Sequence, residues 1–308
     1  MLLFDHVSKW YGPVIGVNQV TLELRPGITG LVGHNGSGKS TLMRLAAGLL
    51  RADIGAVRLA GLDAWSWQAK RHLGYCPELD VFYEEMSGRR FVQTMARFCG
   101  YATGEARERT ERCLEIVGMH GRADLPLAGY SKGMRQRIKL AQALVHDPAV
   151  LLLDEPLSGI DPVGRREMIA IFLKLAEDGK ALLVSSHELD ALEKLTDRVA
   201  IMSAGRIAAV GTLPQIRDLL ADHPLSIRIS CDRNRDLAGF LLGLEEVVGI
   251  ERPEGDEYLL IQATKPQQFF ARLNGLVIEE QLELRHLETL DESTEDILGY
   301  LLGGRPRS

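Results

Sequence analysis

Short apolar runs separated by turn residues open the chain. Leu2 to Val7 and Val20 to Leu24 read as strands, with Tyr11-Gly12-Pro13 and Pro26-Gly27 as turns. Ile28 to Val32 is a short apolar strand that runs into a glycine-rich loop, Gly33 to Gly38, and then into a helix from Ser40 to Leu49. Gly48 and the Arg51-Ala52-Asp53 segment close that helix, and Val57 to Leu59 gives another strand. From about Leu79 to His146 the pattern becomes helical. Apolar residues at three- and four-residue intervals predict helices over Gly88 to Phe98, Glu105 to Val117 and Lys132 to Leu144. Val150 to Leu153 returns to a buried strand. A helix over Arg165 to Glu177, a strand over Ala181 to Ser185 and a helix over Glu188 to Thr196 follow. Strands at Val199 to Met202 and Arg206 to Gly211 complete a core in which strands and helices alternate, which predicts a mostly parallel sheet.

Around Pro214 to Pro224 the chain leaves this core. The pattern then reads strand (Leu225 to Ser230), helix (Arg235 to Leu244), strand (Val247 to Glu251), strand (Glu257 to Thr264), helix (Pro266 to Leu273) and strand (Val277 to Leu284). That βαββαβ order predicts a small ferredoxin-like α+β domain. A short amphipathic helix over Thr294 to Leu302 and a loose tail from Gly303 follow. The expected division is therefore a first domain over 1–213, with a helical part over about 79–147, and a second over 214–308.

Composition narrows the class. A chain of 308 residues suits two domains, and 45 % hydrophobic with 25 % charged residues is ordinary for a globular protein. The formal net charge of −6 gives no overall field favouring nucleic acid. No apolar run reaches the ~20 residues of a transmembrane helix, and the N-terminus, with Asp5, lacks a signal pattern. A cytoplasmic location is expected unless a partner holds the chain at a membrane. Cys76, Cys99, Cys113 and Cys231 form no CxxC pair and read as scattered reduced thiols.

The strongest chemical signal is Gly33-His34-Asn35-Gly36-Ser37-Gly38-Lys39-Ser40, a G-x-x-x-x-G-K-[ST] phosphate loop between strand and helix, followed by Thr41. Glycines let backbone N–H groups converge on phosphate oxygens, and the helix N-terminus adds partial positive charge. Lys39 supplies a full charge for the β- and γ-phosphates, and the Ser40 hydroxyl suits Mg²⁺. Val150 to Leu153 ends in Asp154-Glu155. On its own this is as readily a solvated acidic loop; paired with the phosphate loop, Asp154 suits Mg²⁺ and Glu155 suits the general base that polarises a water. Together they predict a nucleoside triphosphatase that uses Mg²⁺, without saying which kind.

Three further motifs resemble those of ABC-type ATPases. Tyr130-Ser131-Lys132-Gly133-Met134-Arg135-Gln136-Arg137 resembles the signature motif, Ser158-Gly159-Ile160-Asp161 the D-loop, and His187 the switch histidine. With the two nucleotide motifs they fall in the family's order over Leu2 to about Gly211. The resemblance implies a RecA-like core with a mixed sheet, a helical subdomain, and a dimer facing head to tail around two ATP molecules. It implies that Tyr11 stacks on adenine, that His187 contacts the γ-phosphate, and that Ser131 and Gly133 meet ATP bound to the opposite subunit. Each has a plainer reading: Tyr11 as a turn or core aromatic, His187 as structural, Ser131 as an ordinary helix cap. Gly74-Tyr75-Cys76-Pro77-Glu78 resembles the Q-loop but carries Glu78 where many members have Gln, and Lys132 and Met134 replace commoner signature residues. Glu78 is assigned to nucleotide and Mg²⁺ on this resemblance.

This wording is similar to an exporter-type branch whose members often carry a small accessory domain, and the Ser293 to Leu298 segment resembles that domain's closing helix. The implied partners are a second ATPase copy or paralogue and a separate membrane permease, with no nucleic acid; the implied place is the cytoplasmic face of the membrane. Phe82, Tyr83, Phe91 and Phe98 near Glu78 suit a docking groove for the permease or, for most of them, the core of the helical part. Against a GTPase stands the lack of an NKxD motif. A DNA-repair ATPase would need a long coiled-coil insertion, and the ribosome-acting type usually carries two cores, whereas this chain has one phosphate loop.

Overall fold

The structure is a computed structural model, and it describes residues 1–187, 192, 194–196, 198–212, 215–216, 224–253 and 258–290. Contacts divide the chain into two compact units, Met1–Gly211 and Thr212–Ser308. Among the described residues no helix is long and apolar enough to cross a membrane.

The first unit carries two sheets. An antiparallel sheet in the order β2-β1-β4-β5 is built from β1 (Leu2–Tyr11), β2 (Val14–Leu24), β4 (Ile54–Leu59) and β5 (Leu62–Asp63). The second has six strands in the order β10-β9-β3-β8-β7-β6. Its parallel part runs through β9 (Arg198–Ser203), β3 (Gly27–Val32), β8 (Ala181–Ser186), β7 (Val150–Leu153) and β6 (Leu73–Cys76). β7 and β8 are buried at every position, as expected for central strands covered on both faces. β10 (Arg206–Thr212) follows a hairpin at Ala204-Gly205, whose two positive φ values, 45° and 77°, match the twist of paired strands. One apolar core joins both sheets to α1 (Lys39–Ala46), with Phe4, Leu31, Leu42, Leu152 and Met202 all buried in it.

Between α1 and β6 the structure adds α2 (Trp67–Lys70), and β6 itself was not expected as a strand from its four residues. The helical part holds α3 (Gly88–Phe98), α4 (Thr103–Ile116) and α5 (Lys132–Leu144). α3 and α5 begin at serine caps, where Ser87 Oγ accepts from Arg90 N and Ser131 Oγ from Met134 N. α6 (Pro162–Glu177) begins three residues earlier than its apolar pattern suggests, because Asp161 caps Gly164 N and Pro162 sits at the first helical position. The helix expected over Glu188 to Thr196 falls largely outside the described residues.

In the second unit the strands β11 (Leu225–Cys231), β12 (Val247–Glu251), β13 (Leu259–Ala263) and β14 (Leu284–Thr289) pair antiparallel in the order β12-β13-β11-β14. The helices α7 (Asn234–Leu241) and α8 (Pro266–Glu279) supply Leu237, Leu241, Phe269 and Leu273 to its core. This is the split βαβ order expected from the pattern. One boundary is corrected. The strand expected over Val277 to Leu284 is instead the end of α8 and a turn, and the final strand starts at Leu284. Leu273, Leu276 and Val277 lie at helical spacing and pack on one core, and Gln281, at φ 52°, reverses the chain. The helix expected over Thr294 to Leu302 lies outside the described residues.

Candidate active site

The phosphate loop leaves β3 and enters α1 with Gly38 as its cap, at φ 107°, a value open to glycine and strained for other residues. A Cβ on Gly38 would lie 2.4 Å from Gly16 O, and one on Gly33 would lie 2.3 Å from Met202 O. Ser37 N donates to His34 O at 3.1 Å, and Gly205 N donates to Ser37 O at 2.9 Å. His34, Asn35 and Gly36 form the exposed rim of the loop. His34 Nδ1 lies 2.8 Å from Asn35 O. Lys39 is only 6 % exposed. It donates from Nζ to Gly33 O at 2.5 Å and to His34 O at 3.3 Å, folding back over its own loop. Burial lowers its pKa, and the carboxylates of Glu155 and Asp154 act in the opposite direction. Ser40 and Thr41 follow in the first turn of α1, both partly buried, where backbone N–H groups have no intrahelical acceptor.

The two carboxylates beyond β7 are placed by different means. Asp154 Oδ1 accepts from Ser185 Oγ at 2.8 Å, and Ser185 Oγ in turn accepts from Glu155 N at 2.8 Å. One hydroxyl from the neighbouring strand β8 thus ties both residues down. Glu155 adopts φ 48°, a left-handed backbone that turns its side chain away from the strand direction. Its Oε1 lies 3.7 Å from Lys39 Nζ and its Oε2 lies 2.9 Å from His187 Nδ1. Lys39, Asp154, Glu155 and His187 are therefore one connected group at the ends of β3, β7 and β8.

Glu78 follows β6, beside β7. Its side chain is exposed and lines, with Asp154, Leu49, Val81, Met95 and Phe98, an open groove of about 700 Å³. The backbone of this loop is held from α5. Lys139 is 3 % exposed, and its Nζ donates to Pro77 O and Glu78 O, each at 2.9 Å, and pairs with Asp80 Oδ1 at 2.8 Å. Burial pushes the neighbouring Cys76 thiol up to about 12, so it stays a neutral packing group. Of the four aromatics near Glu78, Phe91 is core and Phe82 packs edge-on against it at 5.0 Å, whereas Tyr83 and Phe98 are exposed.

Tyr11 ends β1 at 45 % exposure, with its ring against Gly16 and its hydroxyl 3.4 Å from Thr41 Oγ1, which places an aromatic platform beside the phosphate loop. The signature residues are not joined to this group. Ser131 is exposed and caps α5, a Cβ on Gly133 would meet Ile160, and Lys132 lies over Gly159. Signature and D-loop thus contact each other rather than the phosphate loop. Two residues of the site escaped sequence reading. Ser185 gives no signal beyond a serine at a strand end. Lys139 does give one, a lysine in the buried stripe Gln136, Lys139, Leu140, Ala143 of α5.

The donor set suits a nucleoside triphosphate with Mg²⁺. The Ser37 hydroxyl is fully buried with no hydrogen-bond partner, and Lys39 currently donates to carbonyls of its own loop. Such groups favour an anionic guest. Among the described residues no cluster of three or more His, Cys, Asp or Glu forms a metal cage. The hard oxygens of Ser40 and Asp154 suit a cation that takes its other ligands from phosphate and water, as Mg²⁺ does.

Residues 17–158 match the family model described as ABC transporter. The daunorubicin/doxorubicin resistance ATP-binding protein DrrA of Streptomyces peucetius is 32 % identical over 305 residues, covering 97 % of this chain and 91 % of that protein. The Nod factor export ATP-binding protein I of Sinorhizobium fredii is 32 % identical over 276 residues, covering 88 % and 78 %. A solved structure described as the ATP-binding subunit of an ABC transporter superposes with TM-score 0.65 at 28 % identity, covering 71 % of this chain and 93 % of that one.

Proposed function

The chain belongs to the family of ABC transporter ATP-binding proteins, which hydrolyse ATP, and from that premise we propose that it powers a membrane exporter as a dimer docked on a separate permease. The observation that carries the reading is the placement of Glu155, held by Ser185 and His187 and facing Lys39 beside the phosphate loop. Lys39 exchanges the loop carbonyls for the β- and γ-phosphate oxygens, and the first turn of α1 adds its N–H groups. Tyr11 stacks on the base. Glu155 accepts a proton from the attacking water, and His187 keeps that carboxylate aimed. Ser40 and Asp154 would hold Mg²⁺, which would supply neutralisation of the charge on the phosphates.

Ser131 and Gly133 complete the nucleotide site of a second copy, which agrees with their separation from this chain's own phosphate loop. The groove below Glu78 receives the permease, and movement of the Glu78 loop on binding nucleotide is passed to it. Export is supported by what the relatives' names say of them, a resistance protein and a Nod factor export protein. This assigns the chain to the cytoplasmic face of the membrane. The test is a pull-down of tagged protein from detergent-solubilised native membranes. A stoichiometric polytopic membrane protein supports the reading; ribosomal or DNA-repair proteins without a membrane subunit overturn it.

A further inference from the structure

The segment from Arg51 to Arg71 takes no part in the nucleotide site, yet it holds two of the chain's three tryptophans. Trp65 and Trp67 are 42 % and 63 % exposed. Their rings carry cations. The Arg51 guanidinium lies 4.7 Å from the Trp65 centroid, the Lys70 ammonium 5.4 Å from the same ring, and the Arg71 guanidinium 4.7 Å from Trp67. Arg58 joins Arg51 and Trp65 around a hollow of about 290 Å³. Asp63 lines the same hollow, and its Oδ1 accepts from Trp65 N at 2.9 Å.

Among the described residues, none of Arg51, Arg58, Lys70 and Arg71 has an ion-pair partner. Other arginines of the unit, Arg89, Arg109, Arg135 and Arg137 among them, do pair with a carboxylate. Four cations without such a partner thus gather around two exposed indoles, in a chain with 42 acidic and 36 basic residues. Stacking on a ring leaves guanidinium N–H groups directed outward, where they match phosphate oxygens. Indoles and basic side chains together suit the boundary between headgroups and hydrocarbon. Base stacking in a nucleic acid uses open ring faces, and here each indole already has a cation over its ring.

We propose that this tryptophan and arginine patch contacts anionic phospholipid headgroups of the bilayer that holds the permease. The inference rests on the docking reading for its sense, since Leu49, two residues before Arg51, lines the groove below Glu78. A subunit seated on a permease through that groove would bring this adjoining segment to the membrane. The lipid contact is weak and steers the subunit rather than anchoring it.

The test needs no permease and no nucleotide, so its failure is separable from failure of the transporter reading. Purified full-length protein is floated with vesicles of phosphatidylcholine alone and with vesicles containing phosphatidylglycerol, while tryptophan emission is followed. Binding to the anionic vesicles with a blue shift, weakened by salt, is expected. The Arg51→Gln/Arg71→Gln variant is expected to bind about tenfold more weakly with unchanged ATP hydrolysis, which shows that it folds. The Trp67→Ala variant is expected to lose most of the blue shift. Equal binding to neutral and anionic vesicles, no binding to either, unchanged binding by the double variant, or tighter binding to a single-stranded oligonucleotide than to anionic vesicles would each overturn the proposal.

Discussion

Lys139 on α5 and Asp80 beyond β6 are joined at 2.8 Å, and the same ammonium holds the carbonyls of Pro77 and Glu78. The helix that begins with the signature residues is thereby tied to the loop that carries Glu78. Lys139 is almost fully buried, whereas Asp80 is 32 % exposed by side chain, so solvent screens part of the pair. Lys139→Met keeps the volume and removes the ion. It is expected to destabilise the protein by about 2 kcal/mol, below the cost of breaking a fully buried pair. Urea titration measures that loss, and hydrogen exchange over residues 77–81 should speed up. Unchanged exchange would show that the tie does not restrain the loop.

In the proposed mechanism Glu155 serves hydrolysis and not nucleotide binding. Glu155→Gln preserves the side-chain shape and its hydrogen bond to His187 while removing the charge that faces Lys39. ATP binding should persist while turnover falls about a hundredfold or more, the usual scale for loss of a general base. Light scattering with MgATP should report a stable dimer. A monomer under saturating MgATP, with the permease present, would count against the closure mechanism.

Legibility in the sequence followed how local the cause was. The phosphate loop is written in glycines whose spacing forces one backbone path, so Gly33 to Ser40 were readable in full. The fully apolar strand β7, the apolar stretch of β8 and the helices α3 and α5, with apolar residues at three- and four-residue intervals, were readable from equally local patterns. β6 was not, because four residues carry too little periodicity and its strand character comes from pairing beside β7. The end of α8 was misread because Leu276-Val277-Ile278 has strand-like composition, and only packing against the β11 and β13 core selects the helix. The tie through Ser185 is a contact between strands adjacent only in the folded sheet, which no sequence window contains.

Gly38 combines two constraints that a methyl group cannot meet. Its φ of 107° is strained for an L-residue, and the added Cβ would lie 2.4 Å from the backbone oxygen of Gly16. Gly38→Ala is expected to cost at least about 2 kcal/mol and to abolish binding of a fluorescent ATP analogue. Gly36→Ala, also at positive φ but with open space around its Cβ, should lose less stability. Equal thermal shifts for the two variants would contradict the steric part of this account.

Cys99 offers a probe of the groove below Glu78. It is the exposed member of four free cysteines, and it lines the groove. Partial burial raises its thiol pKa, so maleimide labelling should be faster above neutral pH. Labelling is expected to leave ATP binding intact and to block co-purification with the permease. A labelled protein that still co-purifies would place the docking surface elsewhere.

His146 should make stability depend on mildly acidic pH. Burial lowers its pKa from the usual 6.5, and Nε2 lies 2.9 Å from Leu73 O while Nδ1 is buried without a partner. The neutral ring donates from Nε2 to that carbonyl; a protonated ring would strand a second donor. Above pH 6.5 the ring is neutral in both folded and unfolded chains and contributes no slope. As pH falls below 6.5 the unfolded chain takes up the proton first, so stability declines until the folded pKa is reached. The decline approaches about 1.4 kcal/mol per pH unit for one proton. His146→Gln presents an amide N–H near the same position without titrating, so the difference between wild-type and variant in urea titrations isolates this group. The gap between them should change from pH 7 to pH 5, in the direction of relative loss for the wild-type protein, and a constant gap would mean that the ring titrates normally in the fold.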